Sequence, residues 1–155
     1  MPETQPPFRQ SITLRWSDLD PNGHVRHSVY YDWGAMLRIA YLDSKGVGIK
    51  WMAENGIGPV LFREEAKFLR ELHHGDELAI DFQLSGASPD GRKWKMRHRI
   101  FRGADIAATV EVDGAWLDLR ARRIVVPPEA MARAFEDTSR SEDFVVLTSS
   151  KASGG

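Results

Sequence analysis

The segment at residues 28–45 limits the possible folds of this chain more than any other part of its sequence. It has helical periodicity, it is followed by Gly46, and it carries apolar residues on nearly every side. A helix that is apolar all round is a buried helix, so other elements must cover it. Gly34 lies in its middle, where glycine costs up to ~1 kcal/mol relative to alanine. We therefore expect Gly34 to permit close packing against a sheet.

Four segments with a period of two follow the helix and predict the sheet that covers it. Their apolar positions are Val60, Phe62, Ala66 and Phe68, then Leu78, Ile80, Phe82 and Leu84, then Trp94, Met96, His98 and Ile100, then Ile106, Ala108, Val110 and Val112. The alternation breaks at Gly114, which predicts a β-bulge there. A further strand is predicted at residues 12–16, before the helix. The fold class is therefore α+β, with a curved antiparallel sheet of about five strands wrapped around one long buried helix.

Length and composition exclude several classes of protein. The chain has 155 residues, which fits one domain with one core. We predict a flexible N-terminal arm at 1–7, a single domain at 8–137 and a C-terminal tail at 138–155 whose end is disordered. A net charge of −1 disfavours a nucleic-acid binder, and the lack of cysteine removes thiolate nucleophiles. Without a signal-peptide core or an apolar stretch that could span a membrane, we expect a cytoplasmic protein.

A polar, turn-rich run lies between the first predicted strand and the helix. It reads Asp18-Leu19-Asp20-Pro21-Asn22-Gly23-His24-Val25 and is followed by Tyr30. It resembles the D-x-D-x-x-G-H-V-x-x-x-x-Y signature of the 4-hydroxybenzoyl-CoA thioesterase-like branch of the hotdog superfamily. Downstream, Phe68 and His74-Gly75-Asp76-Glu77-Leu78 are similar to the aromatic strand end and the G-D-x-[LV] turn of that family.

This resemblance implies a hotdog fold and the hydrolysis of acyl-CoA or acyl-carrier-protein thioesters. It also implies a homodimer or homotetramer with the site at the subunit interface, and no cofactor other than the coenzyme A of the substrate. The resemblance makes Asp20 the catalytic carboxylate, as a nucleophile or as a general base. It also marks Gly23 and Tyr30 as substrate-binding residues. From chemistry alone, a helix N-cap or a turn-forming role is the commoner explanation for an aspartate at position 20.

Thioester hydrolysis needs a nucleophile or base and a donor to the developing oxyanion. The N-terminus of the predicted helix offers unpaired N–H groups and the positive end of a dipole. We therefore expect the backbone N–H of His27, or of a neighbour, to bind the carbonyl oxygen. The His27 imidazole is a second candidate catalytic group, which would orient water or polarise the carbonyl. A capping or interface role for it remains open.

The motif also departs from its relatives. Arg26-His27 stands where many of them have Asn-Asn or Tyr-His, and Ala35 and Met36 replace a pair of glutamates before the retained Arg38. A mechanism that uses a glutamate on the helix is therefore disfavoured. Asp20 is left as the strong carboxylate of the motif region.

Further candidates lie on the predicted strands. Glu64 falls on an apolar face, where it would line the acyl pocket, act as a second acid or base, or form an ion pair with an arginine across the dimer. Lys93 and Arg97 belong to a cationic row that would suit the phosphates of coenzyme A, although a solvated strand face is the commoner explanation. A metal site built from Asp18, Asp20, His24 and His27 is disfavoured, because all four lie in one tight loop. We predict no metal site.

Two other functions remain open. A hotdog hydratase or dehydratase would act on similar thioesters, but the D-x-N-P-x-H spacing typical of hydratases is absent. A non-catalytic module that binds acyl thioesters would keep the pocket and make no use of the carboxylate of Asp20.

Overall fold

A computed structural model of the chain describes residues 5–148. Its helices are α1 (Val29–Ser44), α2 (Ile49–Asn55) and α3 (Glu129–Glu136). Its strands are β1 (Phe8–Ile12), β2 (Ile57–Phe68), β3 (Leu78–Ala87), β4 (Lys93–Arg102), β5 (Asp105–Asp118), β6 (Arg123–Ile124) and β7 (Arg140–Val146). Within the described residues, no helix is long and apolar enough to cross a bilayer.

The strands form one sheet with the order β1-β3-β4-β5-β2, and the five strands of this path pair in antiparallel fashion. Short β6 extends it beside β5. The sheet curls around α1, which packs on its concave face. The prediction of an α+β hotdog fold is therefore confirmed. Turn chemistry places the hairpins, since left-handed glycines at Gly91 and Gly103 close the β3–β4 and β4–β5 connections.

One side of α1 is buried and another is open. Val29, Tyr30 and Leu37 are almost completely buried against the sheet. Met36, in contrast, is 68% exposed. The prediction of burial on all sides is therefore wrong for a single chain, because the sheet curls around only part of the helix. Gly34 does permit close packing: a Cβ there would lie 3.1 Å from the imidazole Cδ2 of His98 on β4.

Two local predictions differ from the structure. The first strand is Phe8–Ile12 and not residues 12–16, and Trp16 lies in a short 3-10 helix with 90% of its surface exposed. In the β2–β5 ladder the irregularity lies opposite Gly114, but the extra residue is Phe62 on β2, between Leu61 and Arg63, and not Gly114 on β5. Gly114 keeps its regular pairing with Trp94 on β4, and a Cβ at Gly114 would meet the Trp94 ring at 2.5 Å.

The domain extends beyond its predicted end at residue 137. Residues Arg140–Val146 form β7, which pairs in parallel with the end of β3 that β1 leaves free. Asp143 on β7 accepts two hydrogen bonds from the guanidinium of Arg97 on β4, at 2.9 and 2.8 Å. The first part of the predicted tail is therefore part of the sheet. The predicted disorder at the end of the tail and most of the predicted arm lie outside the described residues.

Candidate active site

The first aspartate of the motif is a structural residue. Asp18 is 1% exposed and accepts hydrogen bonds from the backbone N–H and the guanidinium of Arg15, at 2.9 and 3.0 Å. Burial raises the pKa of Asp18, but the hydrogen bonds from Arg15 outweigh it and lower the pKa below its usual value. The backbone carbonyl of Asp18 accepts the N–H of Arg26 at 2.8 Å, which ties the start of the motif to its end.

The second aspartate holds the turn with one carboxylate oxygen only. Oδ1 of Asp20 accepts the backbone N–H groups of Asn22 and His24, at 2.9 and 3.0 Å. No hydrogen bond from residues 5–148 reaches its Oδ2. The turn therefore fixes the orientation of the carboxylate and leaves one oxygen available to water or substrate. Asp20 thus combines the turn-forming role with a geometry that suits catalysis.

Asp20 lies on the wall of an open groove of about 320 Å³. The groove is lined by Asp20, His24, Val25, His27, Tyr30, Phe68, Leu69, Arg70, Glu71 and Leu72. It runs between the motif turn, the start of α1 and the segment that leaves β2. The aromatic rings of Tyr30 and Phe68 meet edge to face in its wall, with centroids 4.9 Å apart. Burial raises the pKa of the Tyr30 phenol, so this group stays protonated and neutral near pH 7.

The groove reaches the N-terminus of α1. The N–H of Val29 donates to the carbonyl of Arg26 at 3.1 Å. The backbone N–H groups of His27 and Ser28 have no hydrogen-bond acceptor within the described part of the chain. Free N–H groups at the start of a helix of sixteen residues are suited to an oxyanion. The structure thus brings together the predicted residues Asp20, His27 and Tyr30.

Two predicted substrate-binding residues lie away from the groove lining. Gly23 occupies a left-handed position of the motif turn, with φ of 79°, and its N–H donates to the carbonyl of Asp20 at 3.0 Å. Its role in this structure is to shape the turn. Glu64 is exposed on β2, and its charge acts on Arg38 of α1. Burial lowers the pKa of Arg38, while the Glu64 carboxylate opposes that shift.

Lys93 and Arg97 lie on the face of β4 opposite α1, because Trp94, Met96 and His98 alternate with them and are buried. Arg97 donates to Glu111 at 3.0 Å as well as to Asp143. The hydrogen bonds from Arg97 hold the pKa of the Asp143 carboxyl far below its usual range. The structure therefore does not bring this cationic row to the groove, and carboxylates of the chain neutralise Arg97.

A second, apolar cavity of about 170 Å³ lies further along α1, between the helix and the sheet. It is lined by Ala35, Arg38, Ile39, Tyr41, Leu42, Pro59, Leu61, Phe82, Trp94, Met96, Trp116 and Phe135. The guanidinium of Arg38 on its wall donates to Nε2 of His98 at 2.8 Å. Tyr30 in the groove and Arg38 in the cavity are about 12 Å apart along the helix axis.

Sequence reasoning missed the residues that the β2–β3 connection brings to the groove. Leu69, Arg70 and Glu71 follow β2, and no periodic pattern marks them. Backbone contacts hold this connection to the motif. The N–H of Val25 donates to the carbonyl of Leu72 at 3.1 Å, and His24 forms an isolated β-bridge with His73. Within this wall of the groove, the sequence marked only Phe68, which matches the aromatic strand end of the thioesterase family that the motif resembles.

Known proteins that are similar to this chain are thioesterases. A family model described as the thioesterase-like superfamily matches residues 14–135. The chain is 26% identical over 136 residues to the chloroplastic acyl-acyl carrier protein thioesterase ATL3 of Arabidopsis thaliana, and the match covers 86% of this chain and 70% of that protein.

Solved structures are also similar. A thioesterase from Thermus thermophilus, complexed with coenzyme A and Zn, is 28% identical with a TM-score of 0.69, over 86% of this chain and 94% of that one. A 1,4-dihydroxy-2-naphthoyl-CoA thioesterase from Synechocystis is 18% identical with a TM-score of 0.75, over 84% and 96%. The second likeness shows the fold alone.

Proposed function

Because this chain belongs to the thioesterase-like superfamily and is a thioester hydrolase, we propose that it cleaves acyl thioesters of coenzyme A or acyl-carrier protein with Asp20 as its catalytic carboxylate. The observation that carries the proposal is the carboxylate of Asp20 in the groove, where the backbone holds one oxygen and no hydrogen bond from residues 5–148 reaches the other. The similar Arabidopsis protein is an acyl-acyl carrier protein thioesterase, and the similar Thermus enzyme binds coenzyme A.

The free oxygen of Asp20 has two possible roles. As a general base it takes a proton from the attacking water, and as a nucleophile it attacks the carbonyl carbon and forms an anhydride that water then cleaves. Both need an ionised carboxylate of fixed orientation, and the hydrogen bonds to Oδ1 fix that orientation. His27 lies on the same groove, where its imidazole is placed to orient the water or to protonate the leaving thiolate.

The start of α1 provides the oxyanion donors. The N–H groups of His27 and Ser28, which have no acceptor within residues 5–148, lie where the helix dipole is positive, so negative charge on the thioester oxygen is stabilised there. One donor of this kind typically contributes about two to three powers of ten in rate. In this proposal the carbonyl lies between Asp20 and the helix start.

We place the acyl group along α1. Tyr30 and Phe68 form the apolar wall beside Asp20, and the apolar cavity begins at Ala35, about 7.5 Å further along the helix axis than Tyr30. The thiol end lies at the open side of the groove, where Arg70 is exposed and has no carboxylate partner within the described residues. Arg70 therefore replaces Lys93 and Arg97 as the candidate phosphate-binding residue.

We also propose that the active form is a homodimer or homotetramer assembled through β2. This strand ends the sheet path, and its apolar side chains Leu61, Phe62 and Phe68 are 40%, 57% and 53% exposed. Unpaired strand edges with exposed apolar residues are typical interaction surfaces. Because Phe68 also lines the groove, assembly through β2 would bring a second copy close to the site. Light scattering after size-exclusion chromatography tests this expectation.

The function is tested with purified protein and a panel of acyl-CoA and acyl-carrier-protein thioesters, followed by thiol release. We expect turnover of at least one chain-length class, whereas inertness on the whole panel contradicts the proposal. A single turnover in H₂¹⁸O then tests the nucleophilic role of Asp20. Label in the peptide that contains Asp20 shows an anhydride that water cleaves at the Asp20 carboxyl carbon, whereas label in the released acid alone fits a general base or cleavage of the anhydride at the acyl carbon.

A further inference from the structure

Three side chains meet at the edge of the groove, from two separate parts of the chain. His24 comes from the motif turn, and Glu71 and His73 come from the β2–β3 connection. Nε2 of His24 and Nε2 of His73 each lie 3.5 Å from the same oxygen, Oε2 of Glu71. One ligand atom from each residue lies within 4.8 Å of both others. At 3.5 Å, neither imidazole makes a normal hydrogen bond to the carboxylate.

These separations also fit three ligands of one shared metal ion. Zinc binds imidazole nitrogen at about 2.0–2.1 Å and carboxylate oxygen at about 2.0–2.2 Å. In a tetrahedral site, two such ligand atoms are therefore roughly 3.3–3.5 Å apart. Both nitrogen–oxygen distances to Glu71 already have this value. Two histidines and one carboxylate are also a known donor set of zinc sites that keep a fourth position open.

The backbone holds the two histidines in place. His24 and His73 form an isolated antiparallel bridge, and their rings meet at a tilt of 68° with centroids 4.9 Å apart. Asp76 accepts the backbone N–H of His73 at 2.8 Å. Its Oδ2 also lies 3.9 Å from Nδ1 of the same ring, on the side away from Glu71. At 3.9 Å this oxygen makes no hydrogen bond to the ring, so Asp76 holds His73 through its backbone N–H.

We propose that His24, Glu71 and His73 form a binding site for a transition-metal ion such as Zn²⁺. Imidazole donors favour zinc over magnesium or calcium, which prefer oxygen ligands. His24 and Glu71 line the groove together with Asp20, so an ion bound here lies on the groove wall and its fourth position is available to an oxygen of water or substrate. The proposed hydrolysis does not require this ion, so the site is a separate property of the chain.

The site is tested by titrating Zn²⁺ into the full-length protein after treatment with a chelator, with isothermal calorimetry as the readout. His73→Ala removes one ligand and leaves the groove lining unchanged. His74→Ala is the matched control, because His74 is the exposed neighbour and contributes no atom to the cluster. We expect one ion per chain in the wild type, affinity lower by more than about tenfold in His73→Ala, and no change in His74→Ala.

Circular dichroism establishes that each variant is folded, and the absorption spectrum of the Co²⁺-loaded protein reports the coordination independently. The expected result is a tetrahedral Co²⁺ spectrum in the wild type that His73→Ala and His24→Ala abolish. The proposal is overturned if folded His73→Ala binds Zn²⁺ as tightly as the wild type. It is also overturned if His74→Ala weakens binding as much as His73→Ala. Neither readout depends on thioester hydrolysis, so failure of the metal site is distinguishable from failure of the proposed function.

Discussion

His98 is expected to make the fold sensitive to mild acid. Its imidazole is completely buried on β4, and its Nε2 accepts a hydrogen bond from Arg38. Burial, and then the positive charge of Arg38, lower the pKa of His98 from 6.5 to about 3. Because the guanidinium can only donate, the His98 ring is neutral, with its proton on Nδ1.

The sign of the effect follows from the two protonation states. The unfolded chain binds a proton at His98 below pH 6.5, whereas the folded chain does not until about pH 3. The stability that neutral His98 provides is therefore fully present above pH 6.5 and is lost as the pH falls towards 3. At about pH 5, one and a half units below the unfolded-state pKa, the loss is about 2 kcal/mol at 1.36 kcal/mol per unit.

Urea denaturation of the wild type and His98→Gln at about pH 7.5 and about pH 5 measures this contribution. Glutamine keeps an acceptor for Arg38 but does not titrate, and the other histidines are common to both proteins. We expect the wild type to lose about 2 kcal/mol more than the variant between the two conditions. An equal loss of unfolding free energy in the two proteins would refute the reasoning. So would an NMR titration that gives His98 a pKa near 6.5 in the folded protein.

Three further predictions concern packing and the final strand. Gly114→Ala is expected to lower the free energy of unfolding by about 1–3 kcal/mol, because the new Cβ would meet the Trp94 ring at 2.5 Å. Gly34→Ala should lower the free energy of unfolding by less, because its Cβ would lie 3.1 Å from the His98 ring and alanine favours the helix. Urea denaturation that shows a larger loss for Gly34→Ala than for Gly114→Ala would contradict this order. Asp143→Asn is expected to speed amide exchange selectively in β7, because it weakens the paired hydrogen bonds that hold this strand to β4; unchanged protection would count against that.

Periodicity predicted the elements that carry most of the core. The α1 helix and strands β2 to β5 follow from apolar spacing, and the turns between them follow from glycine and proline. The sequence pattern places the first strand four residues too far towards the C-terminus. The apolar side chains of Ile12, Leu14 and Trp16 alternate with polar ones, and residues 8–12 show no such alternation. The structure pairs Phe8 with Phe82 on β3, and that long-range contact outweighs the local pattern.

The bulge and the final strand show where sequence patterns are insufficient. Leu117 and Leu119 after Gly114 gave the impression of a change of phase, yet Trp116 stays buried on the face of Val112. Whether an irregularity falls on β5 or on its partner depends on register, which composition does not encode. The segment Arg140–Val146 begins with four polar residues and shows no apolar alternation, so its strand depends on pairing with β3 and on the contact with Arg97.

The sequence predicted only the part of the candidate site that comes from the motif itself. Asp20, His27 and Tyr30 lie in one short stretch of chain, and the structure places all three on the groove. The opposite wall comes from the β2–β3 connection, which folding brings to the motif through the bridge between His24 and His73. Lys93 and Arg97 were candidates for binding the phosphates of coenzyme A because of their charge alone. The carboxylates that face Arg97 come from β5 and β7, and their register could not be known beforehand.

The role of Asp20 is tested most directly by the hydrolysis rate of Asp20→Asn on the thioester that the wild type cleaves fastest. Asparagine keeps the side-chain oxygen that accepts from Asn22 and His24, so the turn should survive and only the ionised carboxylate is lost. Asp32→Asn is the matched control, since Asp32 is an exposed carboxylate in the first turn of α1 that does not line the groove. We predict a loss of kcat of at least about a hundredfold in Asp20→Asn at an unchanged melting temperature, and near wild-type rates in Asp32→Asn. A folded Asp20→Asn protein that hydrolyses the thioester at the wild-type rate would contradict the assignment of Asp20 as the catalytic carboxylate.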